Sequence, residues 1–379
     1  MEMTDTAEAR NASALGSLSE LAVSITKNFG AEFSLDIACT FEPGITIVFG
    51  PSGAGKTTLL DCIAGLTPPN HGRIAIGPRV LFASEIRRNT ALRHRNVGYV
   101  FQDLALFPHL SAEQNIAYSL NAVPAGERRA RVNAILESFR IGHLRARKPG
   151  EISGGERQRV ALARSLVTNP SALLLDEPLA ALDARTKSAI IEDLRAWNET
   201  HRVPILYVTH SREEVFALGE RVIVVEHGRV IADGTPHEVM SAPMQETVAQ
   251  LAGFENVFDT TAVALHENQG SMTCRLGRST VELETPLVRA EVGSMLRVGI
   301  RAGDILLAVE KPRGLSARNV IEGRIVSLEQ RDVIVVARVD CGVEMEVHLT
   351  IAAREALSFQ PGKKVWLVVK THSCHLMRG

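Results

Sequence analysis

Residues 50–58 read Gly-Pro-Ser-Gly-Ala-Gly-Lys-Thr-Thr, between an apolar run, Ile45 to Phe49, and a helix-like stretch, Leu59 to Leu66. Glycines at 50, 53 and 55 let the backbone curl so that consecutive N–H groups point inward, and a helix opening near Lys56 adds its positive end. The pattern G-x-x-x-x-G-K-[ST], with a strand before it and a helix after it, predicts a loop that cradles nucleotide phosphates. Gly50, Pro51, Ser52, Gly53, Ala54, Gly55, Lys56, Thr57 and Thr58 would surround them. Lys56 is expected to reach the outer phosphates and Thr57 to ligate Mg²⁺. A Gly-rich turn without a ligand is the alternative.

From about residue 21 to 235, β-rich runs alternate with helical patterns. Val97 to Phe101, Ala172 to Asp176, Ile205 to Thr209 and Arg221 to Glu226 join the run before the loop. Such alternation predicts an α/β domain, about 21–240, around a largely parallel sheet. Within it the β-runs stop between about 103 and 150, where Ser111 to Leu120 and Gly126 to Phe139 read as helices. A helical subdomain is expected over about 103–165. The first 20 residues, rich in Ala, Ser, Thr and Glu, read as a mobile tail.

Composition narrows the classes of function. The 379 residues are 45% hydrophobic, enough for two or three cores. With 42 Lys and Arg against 43 Asp and Glu, the net charge of −1 gives no overall pull toward nucleic acid. Five scattered cysteines without a C-x-x-C pair fit reduced thiols rather than a disulfide framework or a zinc site. No apolar run approaches the roughly 20 residues that span a bilayer, and the polar start, Met1 to Asp5, is unlike a signal peptide. Any membrane served is therefore expected to be met from its cytoplasmic side.

Three further positions carry chemistry. The apolar run Ala172 to Leu175 ends in Asp176-Glu177-Pro178. An all-apolar strand is buried on both faces, so its polar end falls at the carboxyl edge of the sheet, where α/β ligands bind. Adjacent carboxylates on extended chain point apart. Asp176 can then face Mg²⁺ while Glu177 acts as base or positions an attacking water; the other reading is that the pair caps a strand. His210 closes Ile205 to Thr209 and reaches the same edge, as a γ-phosphate contact or as a structural histidine.

Residues 152–159 read Ile-Ser-Gly-Gly-Glu-Arg-Gln-Arg and open a helical pattern that stops at Asn169-Pro170. Ser153 with Glu156 forms a capping box. Gly154 and Gly155 leave the helix start open to an anion, a second phosphate site far from the first in sequence.

This stretch resembles the signature motif of ATP-binding cassette (ABC) ATPases, and it stands in the family's order. The phosphate loop comes first, then Gln102, the signature, Asp176-Glu177, the Ala181-Leu182-Asp183 turn and His210. The resemblance implies a head-to-tail homodimer that sandwiches two ATP molecules, each held by one subunit's loop and the other's Ser153, Gly154, Gly155 and Glu156. It also implies that Gln102 senses Mg²⁺ and water, that Asp183 lies at the dimer's nucleotide contact, and that Phe29 stacks on adenine, Phe33 being the less favoured candidate. Ile152 and Ala180 depart from the usual Leu and Ser, without removing a group that hydrolysis needs.

Beyond about 255, after a linker over 241–254, short β segments dominate and read as an all-β, OB-like domain. Asn256-Val257 recurs as Asn319-Val320, and Arg297 to Leu307 as Trp366 to Leu376, which suggests two units, about 255–314 and 315–379, or a coincidence of short segments. This region resembles the TOBE or molybdate-binding-type regulatory domains of importer ATPases. Ile300 to Leu307, Ser316 to Gly323 and Arg95 to Asp103 resemble molybdate importer ATPases in particular. The resemblance implies an ATP hydrolase at the cytoplasmic face of the cell membrane that energises uptake of molybdate or tungstate. Its partners would be two permease subunits, received near Asp103 to Leu110, and an external substrate-binding protein. Sulfate, ferric iron or a sugar is the alternative cargo, and an ATP-binding regulator without turnover the remote one. The β domain would bind oxyanion through Ser316, Arg318, Asn319 and Lys370, or serve dimerisation only.

Overall fold

The computed structural model describes residues 20–377, apart from 31–32, 181, 242 and 244–245. The expected tail therefore lies, but for Glu20, outside the described residues, as does Ala181. Two compact units meet in sequence at Pro236 and His237.

The first unit opens with β1 (Leu21–Phe29) and β2 (Phe33–Phe41), followed by β3 (Gly44–Phe49) and α1 (Lys56–Ala64). Next come β4 (His71–Ile76), β5 (Arg79–Ala83), β6 (Arg88–Asn89) and β7 (Val97–Val100). A helical layer follows, with α2 (Ala112–Ala117), α3 (Ala125–Ser138) and α4 (Gly154–Leu166). The unit closes with β8 (Ala172–Asp176), α5 (Ala184–His201), β9 (Pro204–Val208), α6 (Arg212–Leu218), β10 (Arg221–Glu226) and β11 (Arg229–Gly234).

Two sheets result. The antiparallel one runs β2-β1-β4-β5-β6 and the mainly parallel one β11-β10-β3-β9-β8-β7. Every residue of β3, β8 and β9 is buried, as strands covered on both faces require. Because β3, β7, β8 and β9 run parallel, the residues that follow each of them emerge along one edge. The antiparallel sheet was legible in the alternation of Leu21, Val23 and Ile25, all buried, with Ala22 and Ser24. The alternating α/β reading overlooked it.

In the second unit α7 (Pro236–Ser241) begins at the division, followed by α8 (Glu246–Leu251). The stretch 241–254 is thus not a plain linker: it carries α8, and Val248, Ala249, Ala252 and Phe254 are buried. Then come β12 (Asn256–His266), β13 (Ser271–Leu276), β14 (Glu282–Pro286), β15 (Met295–Ile300) and β16 (Leu306–Ala308). A second series of five repeats the pattern: β17 (Asn319–Arg331), β18 (Ile334–Asp340), β19 (Glu344–Thr350), β20 (Lys364–Val369) and β21 (His375–Met377), with α9 (Ile351–Ala356) between the third and fourth.

Both sheets are antiparallel, ordered β14-β13-β12-β15-β21 and β16-β20-β17-β18-β19. The fifth strand of each series completes the sheet of the other. Asn256 and Asn319, buried at the start of each series, make matching clasps. The Asn256 amide donates to the Glu346 carbonyl (2.8 Å) and accepts from the Glu346 N–H (2.7 Å). Asn319 does the same to Glu284, at 2.9 and 2.6 Å. Each clasp reaches from the first strand of one series to the third strand of the other, and one core, with Cys274, Leu283, Met345 and Leu367, is filled from both sheets.

Candidate active site

The loop between β3 and α1 is fixed by close backbone approach. A Cβ at Gly50 would lie 2.1 Å from the Val225 carbonyl oxygen, which only glycine avoids. Lys56 opens α1 and is 8% exposed, its Nζ donating to the Gly50 and Pro51 carbonyls at 2.9 and 2.8 Å. Burial pushes its pKa down, against the pull of the Glu177 and Asp176 carboxylates. Ala54 is buried and packs in the core rather than on the site.

The shared strand edge forms a cleft of about 650 Å³. Ser52, Gly53, Gly55, Lys56, Thr57 and Thr58 line one side, facing Gln102, Asp176, Glu177 and His210. Asp176 ends β8 almost buried, and desolvation raises its pKa while a hydrogen bond with Thr57 opposes this. Glu177 turns out of the strand in the left-handed region (φ 44°), its N–H donating to the Val208 carbonyl at 3.0 Å. That turn sets its Oε2 3.2 Å from the His210 Nδ1. Phe29 lines the cleft mouth, and so does Phe33, their ring centroids 6.0 Å apart. Both rings therefore border the cleft.

Ser153, Gly155, Glu156 and Asp183 do not line this cleft. Ser153 caps α4 reciprocally with Glu156, whose carboxylate takes the Ser153 N–H at 2.8 Å. The Ser153 N–H and hydroxyl hold the Glu156 pKa down. Gly154 borders a neighbouring cleft of about 530 Å³ with Arg157, Pro178 and Leu182, and Gln102 and Glu177 face both clefts. Gly155 is required for packing: its Cβ would lie 2.4 Å from the Thr186 methyl. Asp183 caps α5 by accepting the Thr186 N–H at 3.0 Å, and hydrogen bonds from the Thr186 hydroxyl and then its N–H lower the Asp183 pKa.

Sequence reasoning missed the groups that hold these strand ends. Glu214 of α6 is buried and accepts from Thr209 (2.7 Å), Tyr207 (3.0 Å) and Lys187 (3.1 Å), so it ties α5 to the residue before His210. Arg164 of α4 donates to the Leu104 and Ala105 carbonyls. A charge inside the apolar run Val160 to Leu166 was its signal. In the second unit Ser316, Arg318 and Lys370 are exposed, but the Asn319 amide is spent on Glu284 and is not free for an anion.

Comparison with known proteins identifies the family. Residues 35–180 match the ABC transporter family and residues 315–376 the TOBE domain. A molybdenum import ATP-binding protein of Rhizobium meliloti is 40% identical over 89% of this chain and 95% of its own. One of Mesorhizobium japonicum is 39% identical over 90% and 92%. The solved structure of cbiO1 from Clostridium perfringens, part of an ABC transporter complex, is 30% identical with a TM-score of 0.52, covering 58% of this chain and 90% of its own. Among the described residues no helix is long and apolar enough to cross a membrane. The chain belongs to the ATP-binding subunits of ABC transporters, in the family of the molybdenum import ATP-binding proteins.

Proposed function

We propose that this chain hydrolyses ATP at the cytoplasmic face of a membrane to energise import of molybdate or tungstate. The observation that carries the hydrolytic part is the convergence of Lys56, Asp176, Glu177 and His210 in one cleft. The cargo rests on the relatives' names and on the length over which they match.

In the mechanism Lys56 leaves the Gly50 and Pro51 carbonyls for the β and γ phosphates, as a loop of this type directs it. Glu177 orients and deprotonates the attacking water, and His210 fixes its carboxylate. Thr57, Asp176 and Gln102 present the hydroxyl, carboxylate and amide oxygens that suit Mg²⁺, and the Thr57–Asp176 hydrogen bond keeps two of them together. When bound, Mg²⁺ neutralises charge on the phosphates. Since Ser153 and Gly155 lie outside the cleft, a second copy of the chain supplies them across a homodimer, and two permease subunits receive the resulting motion.

Reconstituted vesicles with the cognate permease and binding protein test this reading. ATP-driven uptake of molybdate or tungstate over sulfate, lost in Glu177→Gln, is expected. Preferential uptake of another solute would remove the cargo and keep the machine.

The second unit is proposed to take the oxyanion as well. Asn319 pairs with Val369, which brings Arg318 and Lys370 together at the end of the β17–β20 ladder. Equilibrium dialysis of the full chain with molybdate should give saturable binding that Arg318→Gln with Lys370→Gln abolishes. Binding that persists in the double variant sinks this reading.

A further inference from the structure

Leu104 and Ala105, two and three residues beyond Gln102, both lie in the left-handed region, at φ 62° and 44°. Neither is glycine, and side chains with a Cβ occupy that region only where their surroundings impose it. Consecutive residues of this kind turn their carbonyls to the same side, as in one turn of a helix, whereas extended chain would point them apart. Arg164 meets that pair: Nη1 donates to the Ala105 oxygen at 2.6 Å and Nη2 to the Leu104 oxygen at 2.8 Å. Its guanidinium also lies 5.6 Å from the centroid of the Phe107 ring.

The segment is held on its far side too. Fully buried Asn115 of α2 accepts from the Phe107 N–H (2.9 Å) and donates to the Phe107 carbonyl (3.1 Å). Next to Arg164, the Ser165 hydroxyl donates to the Tyr99 carbonyl within β7 (3.0 Å). One helix, α4, thus carries Ser153, Gly154 and Gly155 at or beside its start and grips the chain on both sides of Gln102 near its end.

We propose that Arg164 is a positioning residue for Gln102. The planar fork of its guanidinium holds Leu104 and Ala105 in the left-handed turn and thereby keeps Gln102 on the nucleotide cleft. A lysine would keep the charge, but its single ammonium nitrogen lacks the rigid planar fork that meets the two carbonyls from separate nitrogens. Any displacement of α4 along its axis is carried to Gln102 through this clamp. The inference rests on the reading of Gln102 as a group needed for hydrolysis.

Two measurements separate the clamp from that reading. Hydrogen exchange of the full-length chain reports the loop directly: in Arg164→Lys, amides 103–107 should exchange faster while those of β8 and β9 keep their protection. ATP turnover in the reconstituted transporter should fall about tenfold in kcat, with KM for ATP within about twofold. Placing glycine at both 104 and 105 in the Arg164→Lys chain should recover most of that loss, because glycine takes the left-handed conformation without a Cβ penalty. Unchanged exchange in Arg164→Lys, or a loss that the glycines leave in place, would overturn the clamp. Faster exchange with unchanged kcat would overturn instead the need for Gln102.

Discussion

Removing the Glu214 carboxylate should destabilise the first unit by about 3–5 kcal/mol, the cost of breaking a buried pair by deleting one partner. Glu214 is 3% exposed and Tyr207 fully buried, so Glu214→Ala leaves the Tyr207 hydroxyl without its acceptor, at about 1–3 kcal/mol. It also strands the Lys187 ammonium, 3.1 Å away and about one fifth exposed, and frees the Thr209 hydroxyl beside His210. Glu214→Gln retains one acceptor oxygen but turns an amide toward Lys187, so about 1–3 kcal/mol is expected. The chain has one tryptophan in each unit, Trp197 and Trp366. Urea titration of a Trp366→Phe background therefore reads the first unit alone through Trp197, which is stacked on His201 in α5, the helix that carries Lys187. A Glu214→Ala midpoint that corresponds to less than about 1 kcal/mol would refute the reasoning, since solvent would then be replacing the carboxylate.

Gly155→Ala should cost about 1–3 kcal/mol through its contact with Thr186, whereas Gly154→Ala meets only Leu182 at 3.5 Å and should unfold like the parent in urea. Asn256→Ala and Asn319→Ala each delete two hydrogen bonds from the side-chain amide to the backbone of the facing strand, so each should lower stability of the second unit by about 1–3 kcal/mol, read by Trp366 fluorescence in a Trp197→Phe background. Burial pushes the Cys62 thiol up to about 11 and that of Cys374 up to about 12. At pH 8 their thiolate fractions are on the order of 10⁻³ and 10⁻⁴, so Ellman's reagent should leave both unmodified in the native protein and modify them in urea.

The nucleotide cleft was legible because each of its parts is local. A glycine-rich loop, an apolar strand that ends in Asp176-Glu177 and a strand that ends before His210 all announce themselves within a few residues. Parallel pairing then does the assembly. What was not legible depends on who sits opposite. Arg95, which stands between His94 and Asn96 in sequence, is 1% exposed and donates to the Cys62 and Ile63 carbonyls at the end of α1, and to Thr90 and Asn89. A guanidinium at a helix carboxyl end satisfies carbonyls that the helix leaves unpaired. Nothing within the Arg95 neighbourhood in sequence names that partner.

The second unit shows the same limit at a larger scale. The recurrence of Asn256-Val257 as Asn319-Val320 reveals two similar series of strands, but a repeat in sequence says nothing about which series each strand joins. Here β16 pairs with β20 and β21 with β15, so each sheet is completed by the other series. Matching bulges in β12, between Ala262 and Ala264, and in β17, between Ile325 and Ser327, fall at corresponding positions and bend both long strands in the same way. The symmetry therefore extends to the irregularities, which coincidence of short β segments would not produce. It also means that loss of either asparagine clasp loosens a strand from each series, because the clasp and the exchanged strand tie the same two halves together.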